Sequence, residues 1–476
     1  MGRKNSKTEN KEIEQLMARY EEAKAQGQQL YLDPDQLADI INQYAYQSLF
    51  EKAQEAVTYG LYLHPRSTRL LIEQAYLYLD EREIDLAEQV IESICEEYDP
   101  EVKLLKAELL LNKGDIEGAY ELLITVGTTE GIDVFIDAVY LFLDSGYPGI
   151  AKEWLDKGEA KYGQEKEFIT AKANYLTMTN QMEKAAAYYN RLIDDEPYNP
   201  CYWVALAKCR FSEDEYEKTI EACDFALAAD EEYGEAYLYR AHSLFYVGNS
   251  EAAVADYKKA IAHKVISPAT GYMFIGTVYM GDENWEKSNL YFEKVIHTLE
   301  EKQENDPSLL AEAYINKAKV AFNLGNNEEA HHLCEQAKSI DPEEKSIYLT
   351  EGKVYLDEDM PEKAAEAFQQ ALKYDADIET RYIIGSIYTN LDILEEAKVY
   401  YNEIFEEDPH YADVAEKLTA ISLVHNEIDN FFKYNEASPN PLNEATITEM
   451  LNLPNHTEES RKMLHEIIRR MRNKEE

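Results

Sequence analysis

With 476 residues, 45% of them hydrophobic, and 37 tyrosines, the chain has ample material to bury and is not a disordered polymer. Its formal net charge of -46 argues against nucleic acid and anionic membranes as direct partners and favours basic ones. Five cysteines, Cys95, Cys201, Cys209, Cys223 and Cys334, are odd in number, far apart and without a C-x-x-C, which argues against a secreted disulfide framework.

The first dozen residues are polar and no apolar run follows, so no signal peptide is expected and residues 1–10 are read as disordered. Met1-Gly2-Arg3-Lys4-Asn5-Ser6 fits a loose N-myristoylation pattern but is read as a charged, frayed terminus. No run of 18 apolar residues occurs, so no bilayer span is expected, and the expected location is cytoplasmic. Glu12 to Gln26 places Ile13, Leu16, Met17 and Tyr20 on one helical face before the stop signal of Gly27. This predicts a capping helix within residues 11–33.

From Pro34 the sequence repeats. Val139, Ala173, Ala207 and Ala241 recur every 34 residues, and Ala151, Ala185, Thr219 and Ala253 follow each by twelve. Setting the recurring small residue at position eight gives unit starts at 34, 68, 100, 132, 166, 200, 234, 269, 311, 345 and 378. Position 20 then reads Ala53, Ala87, Ala119, Ala151, Ala185, Thr219, Ala253, Ser288, Ala330, Ala364 and Ala397. Small residues at this spacing require two helices crossing closely, because a larger side chain would force them apart. Gly114-Asp115, Gly146, Gly248-Asn249 and Gly325-Asn326 fall between the two predicted helices of a unit, where a left-handed residue ends a helix. Pro65, Pro197, Pro342 and Pro409 fall near unit ends. A period of this length predicts stacked helical hairpins over 34–411.

The unit at 269 is longer. Leu299 to Pro307 extends its second helix with charge, and 299–310 is a candidate hinge, although a simple extension explains it. After His410 the period fades. Val414 to Tyr434 is predicted as one long or broken helix, Ala437 to Pro441 as a loop, and Glu444 to Leu451 and Glu458 to Lys474 as helices. The last carries Met463, Leu464, Ile467, Ile468 and Met471 on one stripe. Residues 412–476 are therefore read as a C-terminal cap over the apolar end of the stack. The alternative for that helix, given Arg461, Lys462, Arg469, Arg470, Arg472 and Lys474, is a partner or membrane-surface element.

These residues carry a resemblance to the tetratricopeptide repeat. That family places an aromatic at position 4, Leu-Gly or Leu-Ala at 7–8, Tyr at 11, Ala at 20, an aromatic at 24, Ala at 27 and Pro at 32. The unit at 345 has Tyr348, Gly352, Tyr355, Ala364, Phe368 and Ala371, and the unit at 378 has Gly385, Tyr388, Ala397, Tyr401 and Pro409. The units at 200 and 234 add Trp203, Leu206, Ala207 and Ala226, then Tyr237, Ala241, Ala253, Tyr257 and Ala260. The units at 34, 68, 100 and 132 depart from the pattern, lacking the aromatic at position 24. In acidity and tyrosine content the chain also resembles bacterial proteins built only of such repeats. The resemblance implies an all-α fold: a right-handed superhelical solenoid of about eleven helix-turn-helix units with terminal capping helices. It also implies a concave groove lined by positions 2, 5, 9, 12 and 13 of each first helix. Here that groove would present Tyr140, Asn174, Lys208, Phe211, His242, Tyr246, Lys319 and Lys353 to a protein or peptide segment.

No catalytic constellation appears. There is no G-x-G-x-x-G, G-x-S-x-G or H-E-x-x-H, and Asp282-Glu283 stands where a phosphate loop needs Lys-Ser/Thr after Gly276 and Gly281. His331 and Cys334 could share a helical face, but a closed zinc site needs four ligands, and Cys334 falls at a packing position. Neither metal nor cofactor is expected. The sequence reads as a non-catalytic interaction scaffold. An enzyme or carbohydrate-processing factor with a site in the groove, or a self-assembling structural protein, are the alternatives.

Overall fold

The computed structural model of the protein describes residues 7–475 apart from 48, 97, 128–130, 303–305 and 454–456. The myristoylation-like segment 1–6 and part of the candidate hinge 299–310 lie outside the described residues. Among the described residues there are 27 α-helices and no strand. No helix there is long and apolar enough to cross a membrane.

Contacts divide the chain into two compact units, 1–243 and 244–476. The first opens with α1 (Lys7–Ala25) and continues as helix pairs: α2 (Pro34–Tyr46) with α3 (Phe50–Leu63), α4 (Thr68–Asp80) with α5 (Ile84–Ser93), α6 (Pro100–Asn112) with α7 (Ile116–Gly127), α8 (Ile132–Asp144) with α9 (Pro148–Tyr162), α10 (Lys166–Met178) with α11 (Met182–Asp195), and α12 (Pro200–Ser212) with α13 (Tyr216–Ala229). The division falls within α14 (Gly234–Tyr246). The second unit continues with α15 (Ser250–Ala262), then α16 (Pro268–Gly281) with α17 (Trp285–Lys302), α18 (Pro307–Asn323) with α19 (Asn327–Ile340), α20 (Lys345–Asp357) with α21 (Pro361–Tyr374), and α22 (Ile378–Asn390) with α23 (Leu394–Glu407). It ends with α24 (Val414–Val424), α25 (Ile428–Ala437), α26 (Glu444–Leu451) and α27 (Glu458–Glu475).

Local chemistry sets these boundaries. First helices begin on side-chain caps: Asp33, Asp99, Asn199, Ser267 and Asp306 each accept a backbone N–H and are followed by proline, which needs no donor at the first helical position. From α4 to α23 the two helices of a pair are joined through one residue in the left-handed region. Gly114, Gly146, Gly248 and Gly325 fill it as the sequence predicts, but Arg82, Asn180, Asp214, Glu283, Asp359 and Asp392 adopt the same conformation at the equivalent position. In each of these turns the next residue donates its N–H to the carbonyl five residues earlier, as in Glu83 to Tyr78, Asn249 to Leu244 and Ile393 to Tyr388, at 2.8–2.9 Å. This closing bond offsets the strain of a left-handed non-glycine.

The position-20 anchors are fully buried at every unit from Ala53 to Ala397. The two that are not alanine hide their hydroxyls: Thr219 Oγ1 donates to the Glu215 carbonyl, and Ser288 Oγ donates to the Gly276 carbonyl on the facing helix at 2.9 Å. Among the described residues the core is divided into separate clusters. In the first unit separate buried clusters centre on Leu37 and Tyr44, on Ile72 and Leu105, on Phe142 and Trp154, and on Val204 and Cys223. In the second they centre on Phe292, on Ala318 and Cys334, on Phe368 and Tyr401, and on Phe431 and Ile467.

The sequence placed the unit after the long segment at 311, but α18 begins at Pro307, one turn earlier, because Asp306 caps it there. The stretch from Val414 is broken into α24 and α25 at Asn426, which takes positive φ. Met463, Leu464, Ile467 and Ile468 of α27 are buried against Phe431 and Ile447. Its basic side chains find carboxylates of this same chain: Arg470 with Asp429 and Glu466, Arg472 with Glu444, and Lys462 with Glu458.

Candidate functional site

The eight residues read from the sequence lie on first helices, at or close behind one recurring position. In the first unit, Tyr140 on α8 and Asn174 on α10 meet. Asn174 Nδ2 donates to Tyr140 Oη at 2.7 Å, while Tyr189 Oη on α11 donates to Asn174 Oδ1 at 2.7 Å. Both ends of the Asn174 amide are therefore committed within the protein, and Asn174 is a positioning group for two phenols. Burial pushes the Tyr140 and Tyr189 hydroxyls upward, Tyr189 to about 12, so both stay protonated donors near neutral pH.

Lys208 on α12 is half-exposed. Its Nζ donates to Glu235 Oε2 at 3.1 Å and lies 5.3 Å above the Tyr239 ring on α14. Phe211, one turn on, sits in an aromatic nest with Tyr216, Tyr239 and His242 at 5.7–6.0 Å between ring centroids. Burial there lowers the His242 pKa, favouring the neutral imidazole at pH 7. Leu79, Leu111 and Leu143, which occupy the same repeat position as Phe211, are buried and serve packing, whereas Phe211 is only partly covered.

In the second unit Tyr246 is 59% exposed, beside Phe245 at 5.7 Å. Lys319 on α18 and Lys353 on α20 lie close enough for the positive charge of Lys353 to bear on Lys319. Burial lowers both lysine pKa values, against the pull of Glu312 and Glu344 on Lys319 and of Asp357 on Lys353. Among the described residues neither ammonium is ion-paired at contact distance. Lys319 Nζ donates to Asn316 Oδ1 at 3.3 Å, and Lys353 Nζ lies 4.6 Å above the Phe322 ring.

The acidic counterpart of this face is not among those eight residues. Glu73 is buried, accepts from Asn42 Nδ2 at 3.1 Å and pairs with Arg69 at 3.0 Å. Glu108 occupies the same repeat position as Lys208, and burial together with Asp80 and Asp144 raises its pKa to about 7. The repeat register was signal enough to find Glu108. Finding Glu73 required knowing that Asn42 lies across from it. His331 and Cys334 do not form a metal site. The Cys334 thiol is fully buried and raised to about 12, and His331 Nε2 sits 3.2 Å from Glu358 Oε2. Among the described residues no group of three or more His, Cys, Asp or Glu could hold a metal ion.

The family model of the tetratricopeptide repeat matches residues 311–344, 346–378 and 378–411. Among curated relatives, anaphase-promoting complex subunit 7 of Dictyostelium discoideum is 22% identical over 241 residues, covering 50% of this chain and 40% of that protein. A DnaJ homolog subfamily C member 3 homolog of the same organism is 27% identical over 188 residues, covering 35% and 37%. The chain thus spans less than half the length of these relatives. Among solved structures, a tetratricopeptide repeat protein from Parabacteroides merdae is 19% identical with a TM-score of 0.43, covering 56% of this chain and 98% of that one. Yeast Tom70 is 15% identical with a TM-score of 0.43, covering 93% and 96%. The three matched repeats coincide with the consecutive helix pairs of α18 to α23, so residues 311–411 are tetratricopeptide repeats, and the same anchors and turns recur from Pro34 onward.

Proposed function

We propose that this protein is an interaction scaffold without catalysis of its own, and that its first-helix faces hold a segment of a partner protein. The observation that carries the reading is the pair Lys319 and Lys353. In a chain of net charge -46, these two half-buried ammonium groups have no carboxylate at contact distance among the described residues. Holding them so is unfavourable in isolation, and an incoming carboxylate would relieve it. Half-buried Phe322 and Leu356 beside them supply apolar contact, so the segment that fits carries acidic and apolar side chains. Relatives named as subunits of the anaphase-promoting complex support a role in assembly. The odd number and wide spacing of the five cysteines support a reducing compartment, in keeping with a cytoplasmic location.

The test is affinity capture from native extract with mass spectrometry, comparing the wild-type chain with Lys319→Glu/Lys353→Glu. The double variant should lose a defined subset of captured proteins while its far-ultraviolet circular dichroism stays unchanged. Identical capture profiles would overturn the reading.

A further inference from the structure

A cavity of about 290 Å³ lies away from the first-helix face, between α7, α8 and α9. Ile124, Phe135, Trp154, Gly158 and Tyr162 line it, and Lys157 and Lys161 stand one turn apart on its exposed edge. Its walls are preformed. Phe135 packs against Trp154, Tyr162 and Phe168 with ring centroids at 5.2, 5.5 and 6.2 Å, and all four rings are buried. Gly158 lets these rings press onto α9, since a Cβ there would meet Phe135 at 2.6 Å and Phe168 at 2.7 Å. In size the cavity stands at the lower end of small-molecule sites.

Two independent observations mark it as more than a packing gap. Trp154 is 3% exposed and Tyr162 9% exposed, yet Trp154 Nε1 and Tyr162 Oη have no hydrogen-bond partner among the described residues. Buried donors are almost always satisfied, and both of these belong to residues that line the cavity. The second observation is electrostatic. Lys157 Nζ contacts the Tyr120 hydroxyl and lies 5.0 Å above that ring, and Lys161 Nζ lies 4.6 Å above the Tyr162 ring. Neither is ion-paired among the described residues. Two carboxylates of α9 are engaged elsewhere, Asp156 with Lys152 at 2.9 Å and Glu159 with Lys172 at 2.5 Å. Among the described residues, two ammonium groups without an ion pair therefore stand at the rim of an aromatic box in a chain of net charge -46.

We propose that this cavity is a binding site for a small aromatic carboxylate. The ring lies in the cavity against the edges of Phe135, Trp154 and Tyr162, and the carboxylate stays at the rim between Lys157 and Lys161. An apolar body with a single anionic end satisfies both halves of the site. A neutral ring forgoes the lysines, and a bare anion forgoes the box. The site uses none of the eight groove residues read from the sequence, so it stands or falls apart from the scaffold reading.

The test is calorimetric titration of the full chain with 2-naphthoate, with 2-naphthamide as the uncharged isostere and acetate as the ringless acid. Saturable 1:1 binding of 2-naphthoate is expected, with at least tenfold weaker binding of the other two. Lys157→Ala/Lys161→Ala, which alters only exposed side chains, should weaken the acid about tenfold and leave the amide unchanged. Ile124→Trp, at a partly exposed wall position, should abolish both. No saturable heat, equal affinity for acid and amide, or full affinity in the double lysine variant would overturn the proposal. A peptide ending in a free phenylalanine carboxylate that outcompetes 2-naphthoate would also overturn it, assigning the cavity to a partner's chain end.

Discussion

At the scale of the residue, the hairpins are held by a trade of volume between positions 8 and 24. Where position 8 is glycine, position 24 is a full aromatic ring: Gly276 with Phe292, Gly352 with Phe368, Gly385 with Tyr401. Where position 8 is larger, the partner shrinks, as in Ile41 with Val57 and Val139 with Leu155, all buried. The two positions fill one space, and neither can be changed alone. Gly352→Ala would set a Cβ 2.2 Å from Phe368 Cε1, so overpacking should cost about 1–3 kcal/mol in urea denaturation. Adding Phe368→Leu should recover part of that loss, and simple additivity of the two changes would contradict the pairing. Glu108 makes a different kind of residue-scale demand. Its pKa of about 7 in the fold against an ordinary 4.5 means that the folded state holds a proton the unfolded chain has released between those values. Its contribution is fully present below pH 4.5 and is lost as pH rises through 7. Glu108→Gln, which cannot ionise, should flatten that part of the stability profile and stabilise the protein at pH 8 by on the order of 2 kcal/mol. A variant whose pH profile follows the wild type would refute the assignment.

At the scale of the element, helix starts were the most legible feature, because capping residues and prolines announce them and the period repeats the announcement. Starts read at 34, 68, 100, 132, 166, 200, 234, 345 and 378 coincide with those of α2, α4, α6, α8, α10, α12, α14, α20 and α22. The hairpin turns were legible only where glycine fills the left-handed position. Arg82 and Glu283 adopt it under a closing backbone bond, and no side chain signals that bond. The candidate site shows the same division. Its residues could be placed on one face from the repeat register, but their partners could not. Asn174 reads as an open amide in sequence, yet it is spent between Tyr140 and Tyr189, and Lys208 meets a glutamate 27 residues away. Such contacts depend on how one hairpin leans on the next. The cavity beside Trp154 belongs to the same class, since three helices define it and no one of them contains its signature.

At the scale of the whole molecule, the absence of a single core has a thermodynamic consequence. Each hairpin buries its apolar face against its neighbours, so stability is a sum of local terms and nearest-neighbour interfaces, and opening spreads from where it is seeded. Within the second unit, Gly352 lies on α20, whose residues enter two clusters, one reaching back to Tyr314 and the other forward to Tyr434. Gly352→Val should therefore seed opening in both directions. Hydrogen exchange followed by mass spectrometry should show protection falling first in α20 and α21, then in α18, α19, α22 and α23. The clusters around Leu37 and around Phe142 in the first unit draw none of their buried residues from that region and should keep their wild-type exchange. A uniform loss of protection from α2 to α27 would mean that the chain opens as one cooperative body, and the nearest-neighbour account would then fail.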